Sequence, residues 1–223
     1  MVASYSDDPE SRQKVVAALQ HLVEAGLTSG SSGNVSVRTD KGMLVTPTGV
    51  LPRDLQAEHI VAMQLDGTID KGQLMPSSEW RMHADIYAGK PGLDAVVHCH
   101  SSYATILACA HRAIPPQHYM IAAAGSYEIP LANYATFGSQ ALSDAALAAL
   151  STSLACLLAN HGQLATGVKL EDALKLAELV EELAHWHWGA LAIGGPKLLS
   201  AQQMDEVRAA FASYGQQEKP GGS

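Results

Sequence analysis

The sequence is poor in cysteine, in basic residues and in points where a chain could divide, and each shortage removes a class of function. Its three cysteines, Cys99, Cys109 and Cys156, are odd in number and widely spaced, with no CxxC pair. That argues against a disulfide framework and against a thiolate zinc site, so a metal would have to be held by histidine and carboxylate. With 14 Lys and Arg against 22 Asp and Glu the formal net charge is −8. No basic surface is then available to neutralise a phosphate backbone, and nucleic acid is not an expected partner. No apolar run approaches the roughly 20 residues a bilayer requires, and the start MVASYSDDPE lacks the basic-then-apolar layout of a signal peptide. The expectation is a cytoplasmic protein without a membrane partner. No internal repeat, low-complexity block or linker interrupts the 223 residues, which points to a single domain over 1–223 with a polar, frayed tail from 215.

What is present is enough to build a core: 47% hydrophobic and 16% charged residues, an ordinary globular composition. Asp7, Asp8 and Pro9 open a helix carrying Val15, Val16, Leu19, Leu22 and Val23 at helical spacing, and Gly26 ends it. Asn34-Val-Ser-Val and Met43-Leu-Val read as a strand pair, Ile60 to Leu65 as a strand, and Asp66-Gly67 as a hairpin turn returning through Thr68-Ile69-Asp70. Pro76-Ser77-Ser78-Glu79 looks like a helix start. Ala95 to His100 is a short buried strand, followed by a helix from Ser101. A helix over Ser139 to Leu150 precedes a strand over Leu154 to Leu158 and the loop Asn160-His161-Gly162. Helical periodicity then runs from Leu170 to Ile193 and again from Ala201 to Phe211. The mixed order predicts an α/β or α+β domain.

Chemistry concentrates in few places. His98 and His100 alternate along a strand with Cys99 turned the other way, so their imidazoles share a face. Such an H-x-H pair is half of a divalent metal site, needing at least one further His or carboxylate, and the competing reading is a pair of hydrogen-bonded core histidines. Taken singly, His161 reads as a turn histidine, and Glu79 as the first-turn acid of a helix capped by its serines. Three small polar loops, around Ser31 to Asn34, Thr46 to Gly49 and Ser77-Ser78, offer hydroxyls and backbone amides that can form a nest for phosphate, without a lysine and without a Walker or dinucleotide pattern. His185-Trp186-His187-Trp188 invites a metal reading, but histidines two apart on a helix diverge by about 200°, so packing or subunit contact is the expectation. Glu178, Glu181 and Glu182 read as a solvated face. His21, His59, His83, His111 and His118 have no convergent partner in sequence and read as structural.

In order along the chain stand GSSGNVSVR, LVTPTG, PSSEWRMHADIY, AVVHCHSSYAT, PPQHYMIAAAG, NYATFGS and LLANHGQLATG. With these landmarks the sequence resembles the class II aldolase/adducin family over most of its length. The resemblance implies a three-layer α-β-α domain with a largely antiparallel central sheet. It implies zinc, or another divalent cation such as cobalt or manganese, held by His98, His100 and His161, with Glu79 as fourth ligand in the resting site and acid/base once substrate displaces it. Ser77, Ser78, Asn34, Thr48 and Gly49 match the family's phosphate loops, with Ser31 and Gly33 beside them. Tyr119 matches a tyrosine that reaches a neighbouring subunit's site, which implies a C4 homotetramer with sites between subunits. Phe137, and either Phe211 or Tyr214, fall where the family encloses the aldehyde end. The activity implied is reversible cleavage of a ketose 1-phosphate into dihydroxyacetone phosphate and a small aldehyde, the substrate being L-fuculose 1-phosphate or a 5-deoxy- or methylthio-pentulose 1-phosphate. Epimerase relatives carry aspartate in place of Glu79. Dehydratase and decarboxylase relatives share the three histidines, and a non-catalytic adducin-like interaction module is the alternative of another class.

Overall fold

A computed structural model describes residues 5–211; Tyr214 and the tail from 215 lie outside the described residues. Its centre is a sheet of β1 (Asn34–Thr39), β2 (Gly42–Val45), β3 (Val61–Met63), β4 (Ala95–Cys99), β5 (Leu131–Ala132), β6 (Ala155–Leu158) and β7 (Gly162–Gly167). Across the sheet the order is β3-β2-β1-β4-β7-β6-β5. Every neighbouring pair is antiparallel except β5 with β6, so the sheet is mixed but mostly antiparallel.

Side-chain alternation along the strands feeds two separate apolar clusters. Ala95, Val97 and Cys99 of β4 join one, together with residues of α1 (Pro9–Glu24), α3 (Ser102–Cys109), α5 (Leu170–Ala192) and α6 (Ala201–Phe211). Val96 of the same strand joins the other, with Met82, Ala84, Ile86 and Tyr87 of α2 (Trp80–Gly89) and Leu142 and Ala146 of α4 (Gln140–Ala149). His98 follows Val96 at a spacing of two, and so belongs to the α2 side of the sheet.

Local chemistry explains the helix ends. An Asp8 carboxylate oxygen accepts from Ser11 N at 2.7 Å to cap α1, with Pro9 in the first turn, and Ser139 Oγ accepts from Leu142 N at 3.2 Å to cap α4. Two expectations change. The return after Asp66-Gly67 is a single bridge, Met63 with Ile69, not a paired strand. Conversely, the segment after His161 is not only loop: Gly162–Gly167 is a fully buried strand with partners on both sides. A strand buried on both faces shows no polar alternation, and Gly162 at its start reads as loop. Among the described residues no helix is long and apolar enough to cross a membrane.

Candidate active site

The register of the sheet assembles the site. His98 lies opposite Asn34 of β1 on one side and Leu164 of β7 on the other. His100 stands just beyond the end of β4, and its Nε2 comes within 3.0 Å of His98 Nε2. His161 arrives from the β6–β7 turn, where Asn160 takes a left-handed backbone (φ 54°), donates its N–H to Ala108 O at 3.2 Å and accepts on Oδ1 from His111 Nε2 at 2.6 Å. The three ring centroids form a near-equilateral triangle with sides of 4.9, 4.8 and 4.9 Å. One ring nitrogen from each lies within 4.8 Å of the others. Gly162 permits this approach: a Cβ there would lie 2.6 Å from Cys99 O and 2.9 Å from His100 Cδ2.

Glu79 occupies the N-cap position of α2 but makes no capping hydrogen bond. Its buried carboxylate turns to the histidines. Oε2 lies 3.2 Å from His98 Nε2 and accepts from Asn34 Nδ2 at 2.9 Å. Oε1 lies 3.5 Å from His161 Nε2 and, although buried, has no hydrogen-bond partner among the described residues. Burial alone would push the Glu79 carboxyl up, but positive charge at His98 and His161 and the Asn34 amide outweigh it and hold it below the usual carboxylate range. Burial, with the neighbouring histidines, pushes His100 and His161 down to about 4. At neutral pH those two rings are therefore neutral, and each has a lone pair to offer a cation. His98 Nδ1 faces Gln163 O at 2.8 Å; a carbonyl only accepts, so Nδ1 carries the hydrogen and Nε2 is the nitrogen aimed at the cluster. Three ring nitrogens and a carboxylate with one orphaned oxygen are the donor set of a divalent cation, and the residues fit one.

A cleft of about 370 Å³ opens here, lined by Glu79, His100 and His161 together with Ser31, Ser32, Gly33, Asn34, Thr48, Ser77 and Ser78. The expected loops are thus brought together, and for identifiable reasons. Thr48 N donates to Met75 O at 3.1 Å and Ser77 N to Thr46 O at 2.9 Å, which pins the second loop to the third. Gly33 (φ 84°) is pressed against the backbone of β4, where a Cβ would lie 3.1 Å from His98 O. Gly49 turns with φ 73° but does not line the cleft. Among the described residues no lysine or arginine lines it; Tyr134 and Phe137, both largely exposed, form part of its rim. A larger surface hollow of about 690 Å³ lies beside the β1–β2 turn and contains none of these histidines.

Tyr119 does not line the cleft of its own chain; it packs beside His118 and Phe211 and is half exposed. Other residues change their reading. Glu181 is not merely solvated, since its carboxylate accepts from Tyr103 N and Ala104 N at the start of α3. In the His-Trp repeat, His187 is buried against Gln117 Oε1 at 2.6 Å, whereas His185 stacks on Tyr103, as expected of packing. His83 is the residue sequence reasoning passed over: it contacts Asn34 at 2.5 Å. The signal was available in the four-residue spacing of Glu79, His83 and Tyr87, which places them on one helix face.

Comparison with known proteins agrees with this geometry. Residues 13–188 match the Class II Aldolase and Adducin N-terminal domain. The 5-methylthioribulose-1-phosphate/5-deoxyribulose-1-phosphate aldolase of Rhodospirillum rubrum is 46% identical over 204 residues, 92% of each chain. The L-fuculose phosphate aldolase of Escherichia coli K12 is 43% identical, covering 91% of this chain and 94% of that one. A solved L-fuculose 1-phosphate aldolase superposes with a TM-score of 0.89 at 36% identity, covering 92% of this chain and 97% of the other. A mixed α/β fold carrying a histidine cluster that can hold a metal is the arrangement of a class II aldolase. The chain belongs to the class II aldolase/adducin family and is an enzyme of its aldolase branch.

Proposed function

We propose that the protein is a zinc-dependent aldolase that reversibly cleaves a ketose 1-phosphate into dihydroxyacetone phosphate and a small aldehyde. The observation that carries the reading is the buried, unpartnered Oε1 of Glu79 beside three inward-facing imidazoles, at a cleft lined by hydroxyl-rich loops. His98, His100 and His161 hold the metal, with Glu79 completing the set in the resting site. A divalent cation there supplies Lewis-acid stabilisation of the negative charge left when the C3–C4 bond breaks.

The chain's own residues supply the rest. The loops at Ser31, Gly33, Asn34, Thr48, Ser77 and Ser78 bind the phosphate through hydroxyls and backbone amides, with Gly49 turning the chain behind Thr48, so that contacts remote from the bond orient the reacting carbons. Glu79 delivers the proton to C3 of the dihydroxyacetone phosphate half, and removes it in the synthetic direction. Tyr119 acts from a neighbouring subunit on the aldehyde oxygen, in a homotetramer whose sites lie between chains; its absence from the cleft of its own chain supports this. The rim residues Tyr134 and Phe137 favour an aldehyde with an apolar end, as in the methyl-terminated L-fuculose 1-phosphate and 5-deoxypentulose 1-phosphate or a methylthio-pentulose 1-phosphate.

The test is incubation of zinc-loaded protein with a panel of ketose 1-phosphates, reading triose phosphate by a coupled NADH assay beside EDTA-treated protein. Triose phosphate that disappears on chelation and returns with zinc is the expected result, and relative rates rank the substrates. Metal-loaded protein that releases none would instead point to dehydration, decarboxylation or epimerisation at the same site.

A further inference from the structure

Inward from Glu79 runs a continuous chain of buried polar side chains: Asn34, His83, Ser36 and Tyr87. Glu79, His83 and Tyr87 stand four apart along α2 and Asn34 and Ser36 two apart on β1, so two regular elements present matching rows. Ser36, His83 and Tyr87 are each 0% exposed.

Donor and acceptor capacities give this chain one direction. An ionised carboxylate only accepts, so Asn34 presents its NH2 to Glu79 Oε2 at 2.9 Å and leaves its Oδ1 facing His83 Nε2 at 2.5 Å. His83 Nε2 must therefore carry the hydrogen. Burial pushes this imidazole down to about 3, so the ring holds one hydrogen only and Nδ1 is bare. Nδ1 then accepts from the Ser36 hydroxyl at 2.7 Å, and Ser36 Oγ accepts from the Tyr87 hydroxyl at 2.7 Å. Every donor in the chain points towards Glu79. The reverse direction would set the Asn34 carbonyl oxygen against the carboxylate.

We propose that His83 is a positioning residue of the aldolase: by donating to Asn34 Oδ1 it locks the Asn34 amide onto Glu79 Oε2 and so leaves Oε1 as the oxygen that handles the proton. The inference rests on the aldol reading above for its consequence in turnover, but not for the hydrogen-bond direction. Partners that orient a ligating or reacting group through one intermediate are worth roughly 10- to 100-fold in activity or metal affinity.

Two substitutions separate positioning from mere packing. His83→Gln can still donate a side-chain N–H towards Asn34, whereas His83→Asn is too short to do so. With folding checked by circular dichroism and metal content by elemental analysis, H83N should lose roughly 10- to 100-fold in kcat at nearly constant KM, and H83Q should recover to within about threefold of the parent. Equal losses in both variants, or full kcat in H83N, would overturn the proposal. A second measurement is independent of turnover: nitrogen-15 NMR of the metal-loaded protein should show His83 protonated at Nε2 and bare at Nδ1 from about pH 5 to 8. The opposite tautomer there sinks the inference. Failure of the parent to cleave any ketose phosphate, with that tautomer in place, sinks only the aldol reading.

Discussion

His98 Nε2 and Glu79 Oε2 lie 3.2 Å apart while the other nitrogen of the same ring faces the Gln163 carbonyl at 2.8 Å. The carbonyl keeps the hydrogen on Nδ1, so Nε2 is the nitrogen turned towards the carboxylate. Only a cation between the two, or a proton on Nε2, makes that contact favourable. Removing metal should therefore destabilise the protein. Zinc at 100 times its dissociation constant adds about 2.7 kcal/mol, or roughly 5–11 °C in Tm for a chain of this size. Thermal unfolding with and without EDTA reads it, and coincident transitions would count against the metal site.

Gly162→Ala tests how tightly β7 and His100 must approach. The added Cβ would lie 2.6 Å from a backbone oxygen that belongs to the sheet and 2.9 Å from the His100 ring. Turning the ring aside relieves only the second contact, so the backbone at Cys99 and Gly162 must also separate, which carries His100 from its place. The expected result is a stability loss of about 1–3 kcal/mol from overpacking together with zinc affinity lower by roughly tenfold or more. Competition with a chromophoric chelator would measure the second, and unchanged affinity would mean that His100 does not need its present place.

Acid should weaken the metal-free protein in a defined window. His83 is pushed down to about 3, and His100 and His161 to about 4, each chiefly by burial. In the unfolded chain these rings titrate near 6.5. Between about pH 6.5 and 4 the unfolded state thus binds protons that the folded state refuses, and stability falls as pH falls through that range and is level above it. Urea titrations of the chelated protein at pH 7.5, 6, 5 and 4.5 should show a declining midpoint; His83→Gln should flatten the decline by removing one of the three groups.

Much of this was legible in the sequence because it depends on local rules. The period of two that places His98 and His100 on one face needs only a strand, and the Asp8-Pro9 and Ser139 helix starts need only a cap. What was hidden depends on strand neighbours far apart in the chain. Asn34 matched a phosphate loop, yet the pairing of β1 with β4 sets it opposite His98, where its amide holds Glu79. His83 looked solitary because its partners, Asn34 and Ser36, lie 49 and 47 residues away. The β7 strand escaped because all six of its residues are buried and none is charged.

Glu79→Gln preserves the shape that Asn34 holds but removes the charge and the proton acceptor. The amide oxygen can still accept from Asn34 Nδ2, so the loop before α2 should remain in place. Three imidazoles remain for the metal. The expected outcome is kcat lower by roughly 10²- to 10⁴-fold, the range of a lost acid/base, with near-stoichiometric zinc retained. Normal turnover in this variant would remove Glu79 from the chemistry.

The position of Tyr119, half exposed beside Phe211 and away from the cleft of its own chain, makes subunit complementation the sharpest test of shared sites. Tyr119→Phe leaves the metal set whole, and Glu79→Gln leaves the tyrosine whole, so each variant alone lacks one group at every site. If a site takes Glu79 from one chain and Tyr119 from the next around a ring, dissociating and reassociating an equal mixture restores complete sites wherever a Tyr119→Phe chain is followed by a Glu79→Gln chain. Random assembly makes that about one site in four. Activity near a quarter of the parent value, appearing only after reassociation, would establish that Tyr119 works across a subunit boundary. Activity no greater than the sum of the two variants would place Tyr119 outside the partner's site.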